Sequence, residues 1–365
     1  MRAISAGMTD VGRERDLNED RYVIVPDRQV YVVADGMGGH NCGEVASGMA
    51  TKMVSSFFAD HARAEGDAAE TTSEGTPGSL LATSLRRANA SIHERAMNSL
   101  RHRGMGTTVV AAAFSPRERR MYVAHAGDSR CYRLRDGRLT QLTRDHSLLE
   151  EALRARPEMS AEDLGHLPGN VITRALGVES TVDVEVISDG ARVGDIYLLC
   201  SDGLHGFVDE ETIGAIVASH EADLSGGCAA LVAEANANGG GDNITVVLVQ
   251  MAASVGEDDD DGKSIWDHPT AAAPASVSVV AGVDSAASPD IGTDDTARVT
   301  ALTDPEEILA ALERADDAHH PSSGPPPSSH PPPPSAPPPP VGAAASDREP
   351  VPRSSSSRPP DDEEA

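Results

Sequence analysis

Six carboxylates stand where a chain changes from strand to loop. Val30–Ala34 is a run of strand-forming residues that ends at Asp35-Gly36, and four of the eight residues after Asp35 to Gly43 are glycines. Such a stretch reads as a buried strand delivering one carboxylate to its end, followed by a loop whose backbone can approach a ligand closely. The device recurs at Gly127-Asp128-Ser129, at Ser201-Asp202-Gly203 after the apolar run Ile196–Cys200, and at Asp242-Asn243 ahead of Ile244–Val249, with Glu19 and Asp20 in the first hairpin. Carboxylates brought together repel one another and have their pKa values raised unless cations neutralise them. Oxygen-only ligands select hard cations, Mg²⁺ or Mn²⁺, over Zn²⁺ or Cu²⁺. A carboxylate bridging two such ions would lower the pKa of a shared water and yield a hydroxide nucleophile at neutral pH. The plainer alternative for Asp35 is a cap on the helix that starts near Glu44.

The elements that must position these acids follow from periodicity. Ile4–Thr9, Tyr22–Val25, Gly106–Phe114, Met121–Ala126, Arg130–Leu134, Leu139–Thr143, Val182–Ile187, Asp195–Cys200 and Ile244–Val249 are expected as strands. Val45, Met49, Met53 and Phe57, with Ala46, Ala50, Val54 and Phe58 one step behind, give a helix with a wide apolar stripe. Ala59–Gly78 is expected as a polar loop, and Leu81, Leu85, Ala88 and Ile92 mark a second helix. Helices are also expected after Asp209 and over Leu224–Ala237, and a polar excursion over Leu148–Asn170 that begins as a helix at Ser147 and becomes a flap. Antiparallel strands joined by short turns, with helices grouped in pairs, point to an α+β fold: two antiparallel β-sheets in a sandwich flanked by pairs of α-helices.

Of 25 prolines, 20 lie after Ala252. The net charge of −28 divides similarly, with 36 acids against 24 bases in residues 1–252 and 22 against 6 beyond. The reading is one domain over 1–252 and a disordered acidic, Pro/Ser-rich tail over 253–365, of polyproline II character in Pro325–Pro340. Thr303-Asp304-Pro305-Glu306 has capping-box spacing ahead of Ile308, Leu309 and Leu312, which would suit a short docking helix. Proline-recognition modules are the kind of tail-binding partner this composition suits. The acidity argues against nucleic acid or an anionic membrane as partner. Cys42, Cys131, Cys200 and Cys228 have no Cys-x-x-Cys spacing, and no apolar run reaches the length of a membrane span, so a cytoplasmic protein is expected.

Eight motifs in order carry a family resemblance: Gly12-x-x-Arg15-x-x-Asn18-Glu19-Asp20, Asp35-Gly36-Met37-Gly38-Gly39-His40, Gly106-Thr107-Thr108, Gly127-Asp128-Ser129-Arg130, Asp145-His146-Ser147, Thr173-Arg174-Ala175-Leu176-Gly177, Ser201-Asp202-Gly203-Leu204 and Gly241-Asp242-Asn243-Ile244-Thr245. Over about residues 1–250 the chain resembles the metal-dependent serine/threonine phosphatases of the PPM, or protein phosphatase 2C, type in their bacterial form. The resemblance implies two Mn²⁺ or Mg²⁺ ions with a third in bacterial members. Asp35 would bridge two ions, the Gly36 carbonyl and Glu19 would reach the second, and Asp202 and Asp242 would hold the first, with Asp20 in support. Asp128 with Asp202 would take the third, and Arg15 would grip the substrate phosphate, a task that suits a planar guanidinium. The implied reaction is in-line attack of metal-bound hydroxide on a phosphoserine or phosphothreonine of a phosphorylated protein, a target of Ser/Thr kinases. No cysteine has an arginine six residues later, so a thiol-nucleophile loop is absent.

Eukaryotic members of the family place a histidine directly after Asp-Gly, and here that position is Met37. The general acid is therefore left open between His40 and water. His125 and His146 read as structural, Asp145 as a turn residue, Arg174 as packing or an ion pair after the flap, and Cys42 as an inert small residue in preference to an oxidation-sensitive thiol. Two alternatives accompany the phosphatase reading: a phosphatase acting on a small regulator in a partner-switching pathway, and a phosphoprotein-binding module without turnover. Retention of every core acid and of Arg15 speaks against the second.

Overall fold

The computed structural model describes residues 1–38, 42–67, 75–159, 167–168, 171–253 and 300–301. One five-stranded antiparallel sheet has the order β1 (Arg2–Asp10), β13 (Ile244–Ala252), β12 (Ile196–Cys200), β8 (Arg130–Arg135), β9 (Arg138–Gln141). The other has the order β11 (Glu185–Gly190), β7 (Arg120–Ala126), β6 (Val109–Ser115), β3 (Val30–Ala34), β2 (Arg21–Val25). A two-stranded ladder joins β4 (Gly36–Met37) to β5 (Gly106–Thr107).

The sheets face each other through Tyr31, Val33, Val110, Phe114 and Val123 on one side and Cys131, Tyr197, Leu199, Val247 and Val249 on the other, all buried. Period-two alternation explains this: the neighbours Val30, Val32, Val109 and Ala111 point to the opposite face, where they meet helices. There α1 (Gly43–Asp67) and α2 (Pro77–Asn98) cover the second sheet, burying Ala46, Ala50, Val54, Phe58, Leu81, Leu85 and Ile92. Across the molecule α5 (Glu210–Ser219) and α6 (Leu224–Ala237) cover the first sheet through Ile213, Val217, Leu231 and Ala235. The result is the expected sandwich flanked by helix pairs. Thr76, Ser147, Asp209 and Asp223 each accept a hydrogen bond from a backbone N–H in the first turn of the helix they precede.

Several boundaries differ from the expectations. α1 runs on to Asp67 through Ala59-Asp60-His61-Ala62-Arg63-Ala64-Glu65, where the loop was expected; alanine, arginine and glutamate are strong helix formers that need no apolar face to continue a helix already nucleated. The strand expected over Val182–Ile187 is Glu185–Gly190, because its register is set by β7, with Glu185 opposite His125 and Gly190 opposite Arg120. Gly106–Phe114 divides at Thr108 into β5 and β6. α4 (Asp202–His205) was not anticipated.

The excursion expected over Leu148–Asn170 does begin as a helix, α3 (Leu148–Ala155); residues 160–166 and 169–170, where a flap is expected, lie outside the described residues, and β10 (Val171–Ile172) follows. Beside it, β14 (Thr300–Ala301) pairs with β10 in parallel, so this short stretch of the 253–365 segment is strand and the pairing is not all antiparallel. The rest of the expected tail, including the candidate helix after Thr303, lies outside the described residues. Among the described residues no helix is long and apolar enough to cross a membrane.

Candidate active site

Every loop that carries a predicted acid lies at the same end of the sandwich, as the registers require: Asp10 opposes Ile244, Cys200 opposes Arg130, and Arg21 opposes Ala34. Asp35 leaves β3, its carbonyl fastened by Thr108 N–H at 2.9 Å and Thr107 Oγ1 at 2.7 Å. Asp202 opens α4, and its own carbonyl accepts from Gly206 N–H at 2.7 Å. Asp128 lies in the β7–β8 turn, its carbonyl 3.2 Å from His205 Nε2.

The loop bearing Arg15, Glu19 and Asp20 is folded around one side chain that sequence reasoning had left without a role. Asn243 Nδ2 donates to the carbonyls of Val11 and Leu17, each at 2.9 Å, and Asn243 Oδ1 accepts from Glu19 N–H at 2.7 Å. Glu19 Oε1 then accepts from Gly43 N–H at 3.1 Å, at the start of α1, where the helix dipole favours an anion. Ser201 donates to Asp20 Oδ2 at 2.7 Å while accepting from Thr245 N–H at 2.9 Å. Arg15 Nη2 pairs with Asp242 Oδ2 at 2.8 Å, its side chain 38 % exposed at the rim. The adjacency of Ser201 and Asn243 to Asp202 and Asp242 was the signal available in the sequence.

The electrostatics are those of acids assembled without enough positive charge. Burial, then Asp20, Asp202, Asp242 and Asp128 in turn, hold Asp35 well above the usual carboxylate range. Burial lifts Asp20 to about 7, against hydrogen bonds from Ser201 and Thr245, with Asp202 and Asp242 adding to it. Asp128 rises to about 8 through burial, Asp202 and Asp145, and Asp202 to about 6 through burial and Asp242. Glu19 is raised by burial in the first place, then by Glu44. The Oδ1 atoms of Asp20 and Asp202 are buried with no hydrogen-bond partner. A side chain at position 36 would run into Gly43 O and stand 2.6 Å from Glu19 O, so only glycine brings that backbone against the Glu19 loop. Orphaned buried oxygens, hard donors and mutual repulsion are what divalent cations relieve, and these residues fit Mg²⁺ or Mn²⁺.

The other expectations divide. His40 lies outside the described residues, and Met37 sits in β4. Cys42 is buried, donates to Arg101 O at 2.6 Å, and has its thiol pushed up by burial, as an inert residue would. Asp145 holds Arg130 through three hydrogen bonds from the guanidinium Nε and Nη2, and Arg174 pairs with Asp183 at 3.2 Å.

A second group, His125, His146 and Glu185, has one ligand atom from each residue within 4.8 Å of the others. Its rings are stacked 4.6 Å apart and 4° from parallel, so an ion in the plane of one ring is out of the plane of the other. Gly127 N–H already donates to His146 Nδ1 at 3.1 Å, which leaves the proton on Nε2.

The family description Protein phosphatase 2C matches residues 12–222, and the chain belongs to that family. Its relatives include the serine/threonine phosphatase stp of Listeria welshimeri, 39 % identical over 249 residues, which are 66 % of this chain and 93 % of that one. Protein phosphatase PhpP of Streptococcus pneumoniae is 35 % identical over 247 residues, 67 % of this chain and 96 % of that one. Among solved structures, the catalytic domain of serine/threonine protein phosphatase PstP in complex with two manganese ions superposes with a TM-score of 0.56 at 34 % identity, covering 69 % of this chain and 99 % of that one.

Proposed function

We propose that this chain is a metal-dependent protein-serine/threonine phosphatase that hydrolyses phosphoserine and phosphothreonine in other proteins. The observation that carries the reading is the convergence of Glu19, Asp20, Asp35, Asp128, Asp202 and Asp242 at one end of the sandwich with Arg15 beside them, the acids raised by burial and by one another. The relatives named as serine/threonine phosphatases and the manganese-bound structural neighbour support it.

Asp35, with Glu19 and the Gly36 carbonyl on one side and Asp202 and Asp242 on the other, would hold the divalent ions. Asp20 would support them, and Asp128 with Asp202 would hold a further ion. Bound Mn²⁺ or Mg²⁺ would supply charge to offset that of the phosphate and would acidify water at neutral pH. The chain's own part is positional. Asn243 fixes the Glu19 backbone, Ser201 orients Asp20, and the Arg15 guanidinium offers paired donors to phosphate oxygens at the rim once its hold on Asp242 is shared. Protonation of the leaving oxygen is left to His40 or to water. The four cysteines are buried thiols, which suits the reducing cytoplasm.

The test is phosphate release from a phosphothreonine peptide by the full chain, with Mn²⁺ and then with EDTA. Activity that requires Mn²⁺ and vanishes in Asp202→Asn, with the melting transition retained, is expected. Phosphopeptide binding without turnover under any divalent metal would instead establish a binding module.

A further inference from the structure

Two consecutive residues with no part in the site above, Asp145 and His146, hold the chain on either side of one of its acids, Asp128. His146 and Gly127 are joined twice: His146 N–H donates to Gly127 O at 3.0 Å, and Gly127 N–H donates to His146 Nδ1 at 3.1 Å. Gly127 directly precedes Asp128. Its φ is +114°, and a Cβ there would stand 2.5 Å from that of Thr108, so the turn is backed closely against the sheet. On the far side of Asp128, Arg130 Nε and Nη2 hold the Asp145 carboxylate at 2.9 and 2.7 Å. The next residue, Ser147, caps α3 and bridges to Ile172, while Thr173 N–H donates to His146 O at 2.9 Å. α3 thus leaves, and the Ile172–Thr173 segment returns, at the tripeptide Asp145-His146-Ser147, the first two residues of which hold the chain on either side of Asp128.

The ring of His146 is set for this task. Because Nδ1 accepts from Gly127, the single proton of the neutral ring sits on Nε2, which faces Glu185 Oε2 at 3.3 Å. Arg174 Nη1, 3.3 Å from the same nitrogen, is itself a donor and is engaged by Asp183. His125 stacks on the ring and fixes its plane, with its own Nε2 2.8 Å from Arg144 O. Burial first, then His125 and Arg174, push His146 down to about 3, so the ring stays neutral.

We propose that His146 is a positioning residue whose Nδ1, kept an acceptor by Glu185, fixes Gly127 and thereby presents the Asp128 carboxylate to a divalent cation, tying that site to the start of α3 and to β10. The inference rests on the reading of Asp128 as a metal ligand. Asparagine carries an acceptor, Oδ1, at about the ring position of Nδ1, whereas glutamine places its amide near Nε2. The two replacements therefore separate the hydrogen bond from mere polarity.

The experiment is a calorimetric titration of the full chain with Mn²⁺ alone, on parent, His146→Asn, His146→Gln, Glu185→Ala and Asp128→Asn, with melting curves in EDTA alongside. His146→Gln is expected to weaken the weakest class of bound Mn²⁺ by about ten-fold or more, the usual effect of removing a group that orients a ligand, and Glu185→Ala to weaken the same class. His146→Asn should stay within about three-fold of the parent. Equal losses in the asparagine and glutamine variants, or parental affinity in both His146→Gln and Glu185→Ala, would overturn the proposal. Should His146→Gln fail to fold, Glu185→Ala decides alone, at a side chain 42 % exposed. If Asp128→Asn binds Mn²⁺ as the parent does, the ligand assignment itself falls and takes the brace with it; if only Asp128→Asn loses affinity, the brace alone falls.

Discussion

Replacing Asp20 by asparagine should stabilise the metal-free protein, and by an amount that depends on pH. Asp20 is fully buried, and its carboxyl is lifted from 3.8 to about 7. The folded state thus holds this proton more tightly than the unfolded chain does, and ionisation works against folding. The cost is absent below the unfolded pKa, grows as pH rises past 3.8, and is complete above about 7. A rise of roughly 3 units corresponds to about 4 kcal/mol for this one group. At about 2–4 °C per kcal/mol for a domain of this size, that is about 8–16 °C in Tm. In Asp20→Asn the amide oxygen can still accept from Ser201, so the comparison isolates charge. The assay is thermal melting of both proteins in EDTA from pH 4 to pH 8.5. The curves should coincide at the acid end and separate with the variant on top as pH rises. Saturating Mn²⁺ should narrow or reverse the gap, because the cation binds the folded parent and removes the repulsion. A difference that stays constant across pH, or a variant that melts below the parent at pH 8 in EDTA, would refute the account of this site as repelling acids awaiting cations.

Arg15→Ala should raise KM for a phosphopeptide well beyond any change in Mn²⁺ affinity; the lost pair with Asp242 is partly exposed and should cost no more than about 1 kcal/mol of stability. Leu85→Ala, at a fully buried position between α2 and the sheet, should lower stability by about 2–5 kcal/mol in denaturant titrations while leaving kcat per folded molecule unchanged. Deleting 253–365 should leave the melting transition nearly where it is, and a large loss would show that contacts such as the Thr300–Ala301 strand hold the domain together.

Local chemistry told most of the story of this chain. Asp35 was legible because five buried strand residues run into it, and Ser147, Asp209 and the Leu224 helix because caps and periodicity are local signals. The order of strands was not legible, since β1 finds β13 across more than two hundred residues and nothing in either strand names the other. For the same reason Asn243 had no assigned role: its partners, Val11, Leu17 and Glu19, come from the opposite end of the domain. The polar final turns of α1 were missed because a pattern search looks for an apolar stripe, and these turns lack one. His146 read as a turn histidine because its hydrogen-bond partner, Gly127, is a backbone group with no signature of its own.

The pairing of β1 with β13 over nine residues also sets the time at which this molecule can exist. Residues 10 and 244 are 234 positions apart. At about 5–20 residues per second, β1 leaves synthesis roughly 12 to 47 s before its partner is made. Until then the first sheet lacks the strand that lies between β1 and β12, and the Asp242 side of the proposed cation site is not yet made. On the proposed assignment, a nascent chain could pair β2, β3, β6 and β7 under their helices early and would gain Asp242 only as β13 slides into place, so that closure of the first sheet and completion of the proposed site would be a single late event.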